Sequence, residues 1–470
     1  AQAPPIRSSP PQAQHPLRPH QMQTADRAMP ELVDGVACLE WEVRVEDLCR
    51  APPQEGLLLP EKEVRARSLA GPAALRVSGR AWLQETGTLS WSALLPSGAR
   101  ALRGQWVGPR LKQLRVAPQT WASDGEVGVA EPMVTRDSWN LEDHAQDGVL
   151  RLGLTIFWAV LVEDIPLARG RFPLGETVGK GQNGKVHVVV DTQTGRSDWV
   201  AKLSLSTKGP VGCDMLLEAM ALQSLCRDGF PEVLGIFREG DAEMLVMQRL
   251  DCDLDSLRFD DRVSSDRCLG PEKVVSIGIQ VTRQLQAMHG HCLAHGDLKP
   301  KNFMISSGRD LTVQVVDFGV CRPFRVGDLH VTPQEAAHAV GTTRFCSVPA
   351  HSGEHSPRSD LESLVYVLIY LAVGSLPWQG CKAGNKREHT AQILEGKRDR
   401  ELLDRHTLEG LTACPALAES LLEMLRVCRS MDVTTKPEYS RILSSLESAR
   451  SEISLGQVAG QSDVRGGRTE

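Results

Sequence analysis

Three polar side chains define the chemistry this sequence could perform: Asp297, Asn302 and Asp317. They are carried by His295-Gly296-Asp297-Leu298-Lys299-Pro300-Lys301-Asn302-Phe303-Met304 and, fifteen positions after Asn302, by Asp317-Phe318-Gly319. Phosphoryl transfer is mostly positioning and charge neutralisation. It needs one carboxylate to receive the proton of an attacking hydroxyl, and an amide with a second carboxylate to hold Mg2+ against phosphates. Asp297 suits the first task, and Asn302 and Asp317 the second, in the order that chemistry uses.

Such a loop also needs a nucleotide site upstream. Gly179-Lys180-Gly181-Gln182-Asn183-Gly184-Lys185-Val186 fits a glycine-rich phosphate loop, in which missing side chains let backbone N–H groups approach the nucleotide. Val178 and Val186 stand beside it as apolar cover for a base. A glycine cluster alone is more often a plain tight turn. Here apolar runs surround it, and residues 186–190 and 199–203 predict a hairpin with 191–198 as its turn. Lys202 ends the second run. Residues 214–225 read as a largely apolar helix around Glu218, where a lone carboxylate is costly unless paired, so Lys202 and Glu218 are expected to pair. An ordinary exposed helical glutamate is the alternative.

Together these motifs resemble a protein kinase. Gly341-Thr342-Thr343-Arg344-Phe345, Ser359-Asp360-Leu361-Glu362-Ser363-Leu364, Gly374-Ser375-Leu376-Pro377-Trp378-Gln379-Gly380, Cys428-Arg429-Ser430 and Lys436-Pro437-Glu438-Tyr439 resemble the casein kinase I family, in order over about residues 171–448. The glycine of His295-Gly296-Asp297 is similar to the vaccinia-related kinases, whereas Lys299-Pro300, Phe318 and Pro377-Trp378-Gln379-Gly380 are similar to casein kinase I proper.

The resemblance implies an α+β, bilobal protein kinase fold with a β-rich N-lobe at about 171–247 and a helical C-lobe. It implies ATP and Mg2+ as cofactors and protein serine or threonine as acceptor. Lys202 would grip the α- and β-phosphates, the backbone of Met247-Gln248-Arg249-Leu250 would bind adenine, and Asp297 would be the base. Lys299 would reach the transferred phosphate, an arrangement that matches serine/threonine kinases, while Asn302 and Asp317 bind the metal. Casein kinase I enzymes prefer acidic or phosphoprimed substrates through a basic anion site. Arg344 and Lys386-Arg387 match parts of it, but His389 falls where the family has lysine, which makes the preference pH-dependent. Alternatively, Lys386 and Arg387 are solvated loop charges.

Two departures carry expectations. Most kinases place an arginine before the catalytic aspartate to pair with a phosphorylated activation segment. Gly296 cannot do so, and ordering of segment 319–349 is therefore expected without phosphorylation. The Ala-Pro-Glu motif is replaced by Ser347-Val348-Pro349-Ala350-His351, much as casein kinase I replaces it. Gly296, with Asn183 at the glycine-loop tip, also supports an alternative: a pseudokinase or scaffold whose N-terminal domain binds a partner.

The elements that must position these residues can also be read. Val274, Val281, Leu285 and Met288 fall on one helix face before the catalytic loop, and 361–372 is apolar almost all round, as suits a buried helix. Asp360 opens that helix, either as its N-cap or as a support for the catalytic-loop backbone. Residues 1–30 read as a disordered Pro/Gln-rich tail, 31–168 as a small β-rich accessory domain with an unknown partner, 169–450 as the kinase domain, and 451–470 as a flexible tail. In the second of these, residues 38–45 alternate like a half-buried strand, short apolar runs surround Trp82, Trp91, Trp106, Trp121, Trp139 and Trp158, and 152–162 reads as a buried strand too short to span a bilayer.

Composition is that of an ordinary globular chain: 470 residues, 41% hydrophobic and 24% charged, with a net charge of −6 that offers no electrostatic case for nucleic acid. Its 12 cysteines form no CxxC pair and read as reduced thiols, with Cys321 a buried inert one in preference to a reactive one. No secretory signal or membrane span is visible, so a cytoplasmic or nuclear location is expected, and a start at Ala1 suggests a processed or partial product.

Overall fold

The computed structural model describes residues 165–466 apart from 182–183, 204–211, 226–228, 241, 261–263, 307–310, 327–328 and 331–340, together with the backbone of strands between 36 and 161. These N-terminal strands are β1 (Val36–Arg44), β2 (Leu57–Ser68), β3 (Gly71–Leu83), β4 (Leu89–Leu94), β5 (Ala99–Val107), β6 (Trp121–Ala122), β7 (Glu126–Val129) and β8 (Val149–Leu161). They form two four-stranded antiparallel sheets, ordered β1-β8-β5-β6 and β2-β3-β4-β7. The alternating run that starts at Cys38 lies in β1 and the apolar run in β8. Trp139 and residues 1–30 lie outside the described residues.

A five-stranded antiparallel sheet follows, built from β9 (Leu174–Gly181), β10 (Gly184–Val189), β11 (Trp199–Leu203), β12 (Val233–Glu239) and β13 (Ala242–Gln248) in the order β12-β13-β11-β10-β9. The expected hairpin is β10–β11, in register from Lys185↔Leu203 to Val189↔Trp199. One face of the sheet is closed by Ala168, Phe172, Val189, Trp199, Ala201, Phe237, Met244 and Val246. Ile236 and Leu245 belong to a second core with Met215, Ala219, Leu222 and Leu225 of helix α1 (Gly212–Leu225). Packing begins before residue 169. Ile165 and Ala168 are buried, and the Ala168 N–H donates to the Arg238 carbonyl at 2.7 Å while Arg238 donates to Pro166 at 2.8 Å, so this short run covers the β12 edge.

The rest is mainly helical: α2 (Pro271–Gly290), α3 (Pro357–Val373), α4 (Lys386–Arg398), α5 (Arg400–Gly410), α6 (Pro415–Ser430) and α7 (Tyr439–Gly466). Val274, Val281, Leu285 and Met288 of α2 are all buried, as their spacing predicts. Helix α3 starts earlier than its apolar run. Ser356 is the N-cap, accepting the Ser359 N–H, and Pro357 occupies the first turn, so Asp360 is not the cap and is released for other work. The segment expected to fray at 451–470 is instead helix as far as Gly466, because Ile442, Leu446, Ala449 and Ile453 continue one apolar stripe of α7 past residue 450. Among the described residues no helix is long and apolar enough to cross a membrane.

Leu364 is wholly buried midway along α3, whereas Leu455 on α7 is 71% exposed. In urea unfolding, Leu364→Ala is expected to cost about 2–5 kcal/mol and Leu455→Ala less than about 0.5 kcal/mol.

Candidate active site

Sheet register brings the first group of residues together. Val186 on β10 lies opposite both Gly179 on β9 and Lys202 on β11, and directly opposed residues share a face of an antiparallel sheet. Gly181 and Gly184 pair where that hairpin turns. Helix α1 presents Glu218, which is 2% exposed, and Lys202 Nζ donates to Glu218 Oε2 at 2.6 Å and to Asp317 Oδ1 at 3.0 Å. Burial alone pulls the lysine pKa down, but the two carboxylates outweigh it and hold Lys202 above its ordinary value. Burial would likewise raise Asp317, yet the Lys202 ammonium holds it below the usual carboxylate range. Val178 is 46% exposed, an apolar side chain left open. Met247 lies in the last turn of strand β13 and Leu250, just beyond, is buried.

The second group is held from beneath by Asp360. Its carboxylate accepts the backbone N–H of His295 at 2.6 Å and of Gly296 at 2.9 Å, and meets His289 Nε2 at 3.0 Å. The other ring nitrogen of His289 bonds the Tyr439 hydroxyl, which satisfies the pattern if Nε2–H donates to Asp360 and Nδ1 accepts from Tyr439. Burial pushes Asp360 up, but His289, His295 and the Gly296 N–H together hold it below its ordinary value. His295 joins the two loops: Nδ1 accepts the Asp297 N–H at 3.2 Å, and Nε2 donates at 3.1 Å to the carbonyl of Val316, next to Asp317. Asp317 itself has φ +65°, and Phe318 beyond it is buried against Phe230 and His295.

Both oxygens of Asp297 are engaged, Oδ1 by the Thr342 N–H at 2.7 Å and Oδ2 by Lys299 Nζ at 2.5 Å. Asn302, 4% exposed, donates Nδ2 to the Asp297 carbonyl at 2.9 Å, which leaves Oδ1 as the atom that could take a ligand. Among the described residues no three His, Cys, Asp or Glu side chains form a metal cage. Mg2+ takes one or two protein ligands and completes its shell with water and substrate phosphates; Asn302 and Asp317 are side chains of the type that could supply them.

Compared with known protein families, residues 172–445 match the family described as the protein kinase domain. The chain belongs to the protein kinase family. Its β-sheet region followed by helices is the bilobal arrangement of that fold. In this kinase the position before Asp297 is closed to any side chain: Gly296 has φ +79°, and a Cβ there would lie 2.5 Å from His355 Cε1. Gly341 is equally confined, with φ +76° and a virtual Cβ 2.3 Å from the Gly296 carbonyl oxygen. The two glycines let the substrate-facing loop rest directly on the catalytic loop.

The end of the segment is tied down differently from the Ala-Pro-Glu arrangement. Glu362 of α3 accepts the Val348 N–H at 3.2 Å and pairs with Arg429 of α6 at 3.3 Å, while Arg429 also donates to the Tyr366 hydroxyl at 2.7 Å. Arg344, Lys386, Arg387 and His389 are all exposed, the last three in the first turn of α4, and no hydrogen bond or ion pair joins Arg344 to the others. Of the described cysteines all are free thiols, and Cys321 is fully buried, which shields it from reagents.

Sequence reasoning passed over Thr342, His289, Tyr439, Glu362 and Arg429 as working residues. Tyr439 and Arg429 stood inside motifs noted only as family marks; nothing local singles out His289, which looks like a polar residue at a helix end.

A variant that restores the missing arginine, Gly296→Arg, is expected to damage the kinase. Both it and Gly296→Ala should lose about 1–3 kcal/mol in urea unfolding, and activity should fall with stability, because any Cβ meets His355 in a backbone conformation that favours glycine.

Proposed function

We propose that the chain is a serine/threonine protein kinase of casein kinase I type, transferring the γ-phosphoryl group of ATP to protein hydroxyls. The observation that carries this reading is the carboxylate of Asp297, fixed at both oxygens by Thr342 N–H and Lys299. An acceptor hydroxyl approaching Asp297 gives up its proton there as its oxygen bonds to phosphorus, and Lys299 stands beside it as a cation for the transferred group. Lys202, held by Glu218 and Asp317, binds the α- and β-phosphates. Gly179, Gly181 and Gly184 cover the phosphates, and Val178, Val186 and Leu250 enclose adenine beside the Met247 backbone. Mg2+ bound by Asn302 and Asp317 would neutralise phosphate charge.

Lys299 at two residues from the base supports serine/threonine over tyrosine. Activity without activation-segment phosphorylation is supported by Gly296, which offers no cation, and by the Glu362–Arg429 tether, which needs no phosphate. Arg344, Lys386 and His389 are proposed as the site for an acidic or phosphorylated residue of the substrate. The end of α4 near Lys397 meets the Arg344 loop, so Lys386 and His389 lie roughly 16 and 12 Å back along the helix axis at 1.5 Å per residue, a span that a substrate peptide with its phosphate could bridge. Residues 31–168 are proposed as an accessory domain acting through a separate partner, and the cytoplasm or nucleus as the location.

Asp297→Asn is expected to lower kcat at least about a hundredfold with ATP affinity within about twofold, whereas Asp317→Ala should lose Mg2+-dependent ATP binding. Equal binding losses in the two variants, measured by calorimetry, refute the division of roles. A phosphoprimed peptide is expected to exceed its unphosphorylated twin in kcat/KM by about tenfold. Arg344→Ala should remove most of that advantage and His389→Lys should enlarge it. Equal priming ratios in all three enzymes would remove the anion site from this reading.

A further inference from the structure

Lys397, at the end of α4, is wholly buried, and its ammonium lies under the loop that carries Thr342. Nζ donates to the carbonyl oxygens of Thr343 and Cys346, both at 2.6 Å, and has His351 Nε2 at 3.3 Å and Cys346 Sγ at 3.6 Å. The rings of Tyr366 and Trp378 flank it, each 5.5 Å from Nζ. Among the described residues no carboxylate is within ion-pair distance of it. The same loop is closed on itself where the Thr342 carbonyl accepts the N–H groups of Phe345 and Cys346, and Trp378 Nε1 donates to the Arg344 carbonyl at 2.9 Å. Every carbonyl from Thr342 to Arg344 is therefore engaged from inside, and the Thr342 N–H is aimed outward at Asp297.

We propose that Lys397 is a positioning residue for catalysis: it clamps the 342–346 turn from beneath and thereby sets the hydrogen bond by which Thr342 orients Asp297. The clamp does from inside the fold what a phosphorylated segment does in kinases that carry an arginine at the Gly296 position. A buried cation without a carboxylate partner is an expensive device, since it is met only by carbonyl dipoles, a ring nitrogen, a thiol and aromatic faces. Burial brings its pKa down to about 8, opposed by Cys346 and Glu362 and reinforced by Arg429, with His351 and Tyr366 also facing the ammonium. A neutral amine still has two N–H groups for the two carbonyls, so the clamp survives its own deprotonation.

This rests on Asp297 being the base, and the experiment separates the two. Lys397→Met keeps the volume and removes the donors; Lys397→Gln returns one donor. In the full chain, Lys397→Met is expected to lower kcat about tenfold or more with the KM for ATP within about twofold, and Lys397→Gln to recover part of the loss. Amide hydrogen exchange at Thr342 should quicken about tenfold in Lys397→Met, a measurement that needs no turnover. An inactive wild-type chain would sink the kinase reading alone, leaving the exchange result to decide the clamp. Because the native pKa lies below the unfolded one, the wild-type urea midpoint should rise relative to Lys397→Met between about pH 7.5 and about pH 10, as the buried charge is discharged. A flat difference would overturn the burial on which the clamp depends. The proposal also fails if folded Lys397→Met keeps kcat within about twofold, or if neither variant folds, since Lys397 would then serve stability alone.

Discussion

An ammonium group in the interior must be matched or the fold around it fails, and Lys202 is the place where that constraint organises this kinase. Its Nζ holds one carboxylate from helix α1 and another from the loop after Val316, residues 16 and 115 positions away in sequence. Removing the buried Glu218 leaves the ammonium short of compensation, which costs about 3–5 kcal/mol in comparable buried pairs, whereas Asp317, 38% exposed, is screened by water and contributes less. Strand β11, helix α1 and the Asp317 loop are therefore bound to one geometry. Phe318, Phe230 and His295 pack behind it, and His295 passes the alignment on to Asp297. The nucleotide side and the acceptor side of the site share one rigid foundation.

Much of this was legible in the residues themselves. The glycine loop, the β10–β11 hairpin, the Lys202–Glu218 pair and the two acidic loops are local patterns whose chemistry is visible in side-chain type and spacing. Asp360 was readable only as a choice between two roles, and the choice was made by Ser356 and Pro357, which start α3 earlier and take over capping. The boundaries were the weaker reading. Ile165 and Ala168 join the core because a sheet edge needs covering, and α7 runs past residue 450 because its apolar stripe does; both depend on a surface that the chain supplies from elsewhere. Lys397 was illegible for a related reason: a lysine in the last turn of a polar helix reads as solvated, and only tertiary packing shows that its head group lies beneath Thr343 and Cys346.

Glycine does opposite work at the two ends of the catalytic loop's surroundings. In the β9–β10 hairpin the glycines leave the backbone uncovered by side chains; at Gly296 and Gly341 they keep side chains away from the protein itself, so that two loops can touch through their backbones. The second use explains why the lost arginine is not a simple deletion. The space beside Gly296 is taken by His355 and by the close approach of Gly341, so one substitution does not open it.

The hydrogen bond between His289 and Tyr439 spans 150 residues of chain. Synthesis runs from the N-terminus at about 5–20 residues per second, so roughly ten to thirty seconds separate the two partners at the ribosome. Within that interval Asp317 and then Asp360 join Lys202 and Glu218, but the aspartate beneath the catalytic loop still lacks the tyrosine that completes its network. A nascent or prematurely terminated product thus carries every member of the Lys202 group but an incomplete network beneath the catalytic loop. The support under the catalytic loop is therefore complete only once the first residue of α7 has been made.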